Sequence, residues 1–168
     1  ACTINGAILH NLVCLPQPFC FGTIGAGQYR AAIFQIGGVE DSVHTVSIDG
    51  KAVSVFLGNK PGIPVIYLNT YSDEGQQVFE AVQAVGCLPF NLATISNLDW
   101  NHDMAPWDNP AAFKKGEPFT GGADDYLRLL VEEIIPRAEK ELAGPPAWRG
   151  IAGYSLAGLF ALYAIYQT

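Results

Sequence analysis

The spacing of hydrophobic and polar residues first becomes regular near residue 43. Apolar and polar residues alternate along VHTVSI, which starts at Val43, and along KAVSVF, which starts at Lys51. The dipeptide Asp49-Gly50 joins the two runs, and such a pair is a strong signal for a two-residue hairpin turn. The pattern therefore predicts an antiparallel β-hairpin.

From Pro64 onward, short apolar runs typical of strands alternate with longer stretches that carry apolar residues at helical spacing. Pro136 predicts a kink in the second of the helices, and Gly144 is its predicted end. This alternation predicts a parallel sheet covered on both faces. In chain order the segments are strand PVIYLN, helix EGQQVFEAVQAVG, strand FNLATIS, helix ADDYLRLLVEEIIPRAEKELAG, strand WRGIAGY and the helix from Leu156 to Tyr166.

Two segments lack such periodicity. Residues 1–42 are read as an irregular N-terminal segment, and the glycines of GTIGAG, at 22–27, do not match the dinucleotide-binding fingerprint. The segment 97–122 is a predicted long loop, of the kind that is usually functional or mobile in a compact domain. The domain proper is expected to occupy residues 43–168.

Composition limits the classes of function. The chain has 168 residues, of which 49% are hydrophobic, enough to bury one core in a single domain. Its formal net charge of -7 disfavours nucleic acid and anionic membrane surfaces as partners. The sequence has neither an apolar run long enough for a membrane span nor a basic segment typical of a signal peptide, so a cytoplasmic location is expected.

The four cysteines, Cys2, Cys14, Cys20 and Cys87, could form two disulfides. We favour reduced, buried thiols, since free cysteine is among the most buried residue types. Their spacing matches no metal-binding motif. No metal or other cofactor is therefore expected.

The strongest chemical motif is Gly153-Tyr154-Ser155-Leu156-Ala157, which lies between a predicted strand and a predicted helix. A nucleophilic serine on a sharp strand-to-helix turn needs small neighbours because the two backbones approach closely. Ser155 is the predicted nucleophile, and the Leu156 N–H at the helix start is a predicted oxyanion donor. The alternative is that Ser155 is only a small residue in a tight turn.

With these motifs in order, the chain resembles the α/β-hydrolase superfamily, and within it the enterochelin-esterase-like and esterase D-like esterases. The resemblance implies a partial α/β-hydrolase fold, with a mostly parallel, doubly wound sheet and an N-terminal antiparallel hairpin. It also implies a serine esterase or acyl-transfer activity on a small-molecule ester-type substrate. It is carried by PVIYLNTY, LDWNHDMAPW, EEIIP and GYSLAGLFALYA, and it extends over about residues 43–168.

The resemblance also suggests further site residues. The second oxyanion donor in that family is a backbone N–H just after the third strand, which corresponds here to Tyr71 or, as the alternative, Thr70. The loop after the fourth strand borders the site in relatives, so Asn101, His102 and Trp107 are candidates for substrate binding.

The acid and the histidine of the family's catalytic triad follow the nucleophile in the chain, but no Asp, Glu or His follows Ser155 here. The sequence is therefore expected to be the N-terminal portion of a hydrolase, inactive alone, with the missing C-terminal half or a second copy as partner. His102, with Asp99 and Asp103 beside it, is the alternative base. A non-catalytic binding or scaffold module is the alternative function.

Overall fold

The structure is a computed structural model that describes strands β1 (Cys2–Ile4) and β2 (Ala7–Leu9) and then residues 43–58 and 60–167. Strands β1 and β2 pair antiparallel within the segment that the sequence analysis reads as irregular. The GTIGAG glycines, Cys14 and Cys20 lie outside the described residues. Cys87, by contrast, is described: its thiol is free, as expected, but the residue is half-buried and not buried as predicted.

The predicted hairpin consists of β3 (Val43–Ile48) and β4 (Lys51–Phe56), which pair antiparallel along their whole length. At its turn Asp49 has φ 48° and Gly50 has φ 75°. Positive φ at both turn positions matches the twist of the flanking strands. The Asp-Gly signal therefore predicted the two-residue hairpin correctly.

The hairpin belongs to a five-stranded mixed sheet, whose three later strands are β5 (Val65–Asn69), β6 (Asn91–Ser96) and β9 (Arg149–Ala152). The strand order across the sheet is β3-β4-β6-β5-β9. Strand β6 is antiparallel to β4 and parallel to β5, which is in turn parallel to β9. Every residue of β6 is buried, as expected for a strand covered on both faces.

Helices cover both faces of this sheet, which confirms the expected α/β class with antiparallel strands before a parallel part. On one face, helix α1 (Gly75–Ala84) packs Val78, Phe79 and Val82 against a cluster that includes Leu92. On the other face, a larger cluster contains the buried Phe160. The helices described are α1 (Gly75–Ala84), α2 (Trp100–Asp103), α3 (Ala123–Leu129), α4 (Ile135–Glu139) and α5 (Leu156–Gln167).

Pro136 is accommodated by a change of helix type. A π-helical segment, Leu130–Ile134, connects α3 to α4, and Pro136 lies in the first turn of α4. Proline has no N–H to donate and its ring crowds the carbonyl one turn earlier, so a wider turn before it relieves both problems. Helix α4 ends at Glu139, so the predicted end at Gly144 was wrong, and the chain continues in tight turns in which the Leu142 N–H donates to the Glu139 carbonyl over 3.2 Å.

The segment 97–122 is more ordered than the long loop that the sequence predicted. It contains α2 and a two-stranded antiparallel ribbon, β7 (Asp108–Asn109) and β8 (Phe119–Thr120). These elements are only two to four residues long, too short for hydrophobic periodicity to reveal them. None of the helices among the described residues is long and apolar enough to cross a membrane.

Strand β9 pairs with β5 and, among the described strands, with no other. The adjacent helix α5 exposes apolar side chains, including Leu162, Ile165 and the 86% exposed Tyr166. An open strand edge beside an apolar surface favours association with another chain.

We expect the 168-residue polypeptide to self-associate through the edge of β9 and the exposed side of α5. Tyr166→Lys should shift the population toward monomer because it places a charge in this apolar surface. Size-exclusion chromatography with light scattering measures the shift. Phe113→Lys is the matched control, since Phe113 is 80% exposed in the 97–122 segment. A sharp monomeric peak for the unsubstituted chain would contradict the prediction.

Candidate active site

Ser155 lies in a sharp turn between β9 and α5. Its backbone has a φ of 51°, in the left-handed region that residues other than glycine rarely adopt. Such a conformation costs on the order of 1 to 3 kcal/mol and persists only where the surrounding structure enforces it. The Ser155 side chain is exposed. The turn therefore presents the hydroxyl to solvent at the carboxyl end of β9.

The small residues around Ser155 are required by the close approach of the two backbones. A Cβ atom added at Gly153 would lie 2.3 Å from the Ala157 carbonyl oxygen and 2.8 Å from the Ala157 Cβ. Both Gly153 and Ala157 are buried. The space between the end of β9 and the first turn of α5 thus admits no side chain at position 153.

Helix α5 starts at Leu156, directly after Ser155. The N–H groups of a first helical turn have no partner within the helix, and they lie at the positive end of the helix dipole. The Leu156 N–H is therefore suited to bind negative charge that develops next to Ser155.

The two candidates for the second oxyanion donor differ in their hydrogen bonds. The Thr70 N–H donates to the Ile95 carbonyl over 2.9 Å, so it is used inside the sheet. The Tyr71 N–H donates instead to the Tyr154 hydroxyl over 3.0 Å. Of the two, only the Tyr71 N–H is directed toward the residue that precedes Ser155.

Tyr154 connects this donor to a carboxylate. Its hydroxyl donates to Glu74 Oε1 over 2.9 Å, while Glu74 Oε2 accepts the Ser72 N–H over 3.1 Å. Burial raises the pKa of Tyr154 to about 12, and the hydrogen bond to Glu74 acts in the same direction, whereas the Tyr71 N–H lowers it. The phenol therefore stays neutral through the physiological range.

Three aromatic rings form a wall beside the sharp turn from Gly153 to Ala157, which is called the elbow below. The Trp100 ring packs edge-on against Tyr71 with centroids 5.2 Å apart, and its centroid is 5.6 Å from that of Tyr154. Tyr71 is 67% exposed, so this wall is open to a ligand. Sequence reasoning singled out neither Trp100 nor the side chains of Tyr154 and Glu74. Each of these residues lies in or shortly after a motif at the carboxyl end of a strand. That position in the sequence could have identified them as neighbours of Ser155.

The three predicted substrate-binding residues are placed along the 97–122 segment. Asn101 Nδ2 donates to the Glu117 carbonyl over 3.1 Å, and His102 Nδ1 lies 2.8 Å from the Thr120 hydroxyl oxygen. These bonds tie α2 to the ribbon. Trp107 is 58% exposed just before β7.

Asp103 is buried, and its carboxylate does not orient His102. It forms an ion pair with Lys51 Nζ over 2.8 Å and accepts the Asp99 N–H over 2.9 Å. In a catalytic triad a carboxylate orients the imidazole through Nδ1, whereas His102 Nδ1 lies 2.8 Å from the Thr120 hydroxyl oxygen, so Asp103 does not play that part for this histidine.

A family model with the description "Esterase: Putative esterase" matches residues 62–168, a range that includes Tyr71 and Ser155. No curated protein matches the chain.

Two solved structures share the fold. A BES protein from Bacillus cereus aligns with a TM-score of 0.60 at 19% identity, over 86% of this chain and 62% of that protein. The siderophore hydrolase EstA from Aspergillus nidulans aligns with a TM-score of 0.55 at 17% identity, over 84% of this chain and 58% of EstA. The chain thus spans about three fifths of the length of these neighbours.

We expect Gly153→Ala to destabilise the fold by about 1 to 3 kcal/mol, the usual cost of forcing extra atoms into a packed site. The new methyl group would meet backbone atoms of α5 that cannot rotate away. The midpoint of chemical denaturation measures this loss. Gly144→Ala is the control, because a Cβ there would meet no atom within 4 Å. Equal midpoints for the two variants would contradict the close approach of β9 and α5.

Proposed function

We propose that this chain, which belongs to the esterase family matched over residues 62–168, acts as a serine hydrolase of the esterase or acyl-transfer type through Ser155. The observation that carries the proposal is the left-handed backbone of Ser155, held at the start of α5 by the contact between Gly153 and Ala157. A strained, exposed serine at a strand-to-helix turn is typical of an activated nucleophile.

In the proposed reaction, the Ser155 Oγ attacks the carbonyl carbon of the ester and its proton passes to a general base. The negative charge that forms on the carbonyl oxygen is stabilised by the N–H groups of Leu156 and Tyr71. Collapse of this intermediate breaks the bond to the alcohol, which leaves with a proton, and an acyl group remains on Ser155. Water, or another alcohol in the case of transfer, then releases the acyl group.

In this mechanism the chain supplies the nucleophile and the oxyanion donors, but none of its residues is assigned as the general base that transfers the proton. No Asp, Glu or His follows Ser155 in the 168 residues, and the ring of His102 is bonded to Thr120. We therefore infer that the polypeptide of these 168 residues, taken alone, hydrolyses esters poorly.

The substrate class is a small-molecule ester. The exposed Tyr71 and the adjoining Trp100 offer an aromatic wall for the apolar part of the acyl or alcohol group. The net charge of -7 disfavours strongly anionic esters. Siderophore esters are one candidate within this class, because the Aspergillus nidulans neighbour is a siderophore hydrolase.

We expect a fluorophosphonate probe to phosphonylate Ser155 of the 168-residue chain slowly but selectively, because the Leu156 and Tyr71 N–H groups can stabilise the charge on its phosphoryl oxygen while no general base is assigned in this chain. Mass spectrometry of a digest locates the modified residue. Ser155→Ala should abolish labelling, whereas Ser47→Ala, which alters an exposed serine of β3, should leave it unchanged. Modification of another serine, or of none, would contradict the assignment and favour a non-catalytic module.

Hydrolysis of an activated aryl ester by the 168-residue polypeptide should be slow. Oxyanion donors and binding without a complete triad give only about 10³ to 10⁴ over water. Steady-state release of the aryl alcohol measures the rate, with Ser155→Ala as the baseline. Turnover near 10 per second, which is typical of intact enzymes, would show that a residue of this chain acts as the base. His102→Ala would then be the first variant to measure.

A further inference from the structure

The second oxyanion donor is occupied in the free protein. The Tyr71 N–H donates to the Tyr154 hydroxyl oxygen over 3.0 Å. A backbone N–H carries one proton and makes one strong hydrogen bond. A carbonyl oxygen of a substrate and the phenol oxygen of Tyr154 therefore compete for the same donor.

The Tyr154 hydroxyl is held in this position by a closed set of contacts. It donates to Glu74 Oε1, and Glu74 in turn accepts the Ser72 N–H, so the loop between β5 and α1 and the elbow share one hydrogen-bonded ring. Trp100 packs against the Tyr154 side chain. The hydroxyl is thus a built feature of the site and not a rotamer free in solvent.

We propose that the Tyr154 hydroxyl is a placeholder for the substrate's carbonyl oxygen, and that it must leave the Tyr71 N–H before that N–H can stabilise the oxyanion. This inference rests on the proposed function. It makes Tyr154 a positioning residue, which acts through Tyr71, and Glu74 the residue that holds it in place.

The exchange has a consequence for selectivity. A neutral ester carbonyl that replaces the phenol exchanges one neutral hydrogen bond for another and gains little. An oxyanion gains more, because hydrogen bonds to charged acceptors are roughly twice as strong. The placeholder thus subtracts about the same free energy from binding of the ground state and of the transition state at this donor, so a net gain remains only for the oxyanion, and removal of the phenol should speed the reaction at Ser155.

The test is the second-order rate of Ser155 phosphonylation by a fluorophosphonate, measured on the 168-residue chain at low nanomolar concentration to limit association. Tyr154→Phe removes the competing hydroxyl and keeps the ring that packs on Trp100. We expect labelling about 2- to 10-fold faster, the equivalent of one neutral hydrogen bond. Tyr163→Phe is the matched control, because the Tyr163 hydroxyl donates to Asp124 over 2.6 Å at the surface. It should leave the rate unchanged.

A double-mutant cycle separates this role from general support of the fold. Glu74→Gln should accelerate labelling less than Tyr154→Phe does, because it only loosens the phenol, and it should add nothing in the Tyr154→Phe background. Equal or slower labelling of Tyr154→Phe, or additive effects of the two substitutions, would overturn the placeholder role alone. Failure to label Ser155 in the unsubstituted chain and in every variant would overturn the proposed function and the placeholder role with it.

Discussion

The site depends on the close approach of the end of β9 to the first turn of α5. Gly153 and Ala157 meet with no room for a side chain between them, and this contact keeps Ser155 in the left-handed region. The same contact directs the start of the helix toward the serine. The candidate nucleophile Ser155 and the candidate oxyanion donor, the Leu156 N–H, are thus positioned by one packing constraint, and the buried Phe160 anchors the helix that enforces it.

A second group of contacts fixes the carboxyl edge of the sheet around this elbow. Asp103 is buried with Lys51 as its ion-pair partner, so α2 is held against the start of β4. On the other side of Lys51, Tyr126 lies with its ring centroid 5.7 Å from the ammonium and donates its hydroxyl to Asn69 at the end of β5. Burying a charge is costly unless it is paired. These partners therefore specify where α2 and α3 lie relative to the loop that follows β5.

The polar contacts at the elbow show how one candidate oxyanion donor is paired in the free protein. The Tyr71 N–H donates to the neutral phenol of Tyr154, the residue before Ser155, and the Glu74 carboxylate holds that phenol. In this arrangement the Tyr71 N–H is paired when no substrate is bound, and its partner is a neutral hydroxyl instead of an anion.

Sequence patterns recovered the elements whose periodicity is strong and local. The Asp49-Gly50 hairpin, strand β6 and the apolar helix after Ser155 each followed from the residues within them. The patterns failed where the structure depends on short elements or on changes of helix type. The ribbon β7–β8 has two residues per strand, and the π-helical segment before Pro136 replaces the expected simple kink.

For the site, the sequence by itself determined the identity of the candidate nucleophile and the small residues around it, because the steric demands of a strand-to-helix turn act between residues adjacent in the chain. Only the tertiary structure distinguished the two candidates for the second oxyanion donor, since the Thr70 N–H is bonded to Ile95 within the sheet and the Tyr71 N–H to Tyr154. It also decided that Trp100 and Glu74 surround the elbow and that His102 is bonded to Thr120. These contacts join residues from separate segments of the chain, and no local pattern encodes which partner each will meet.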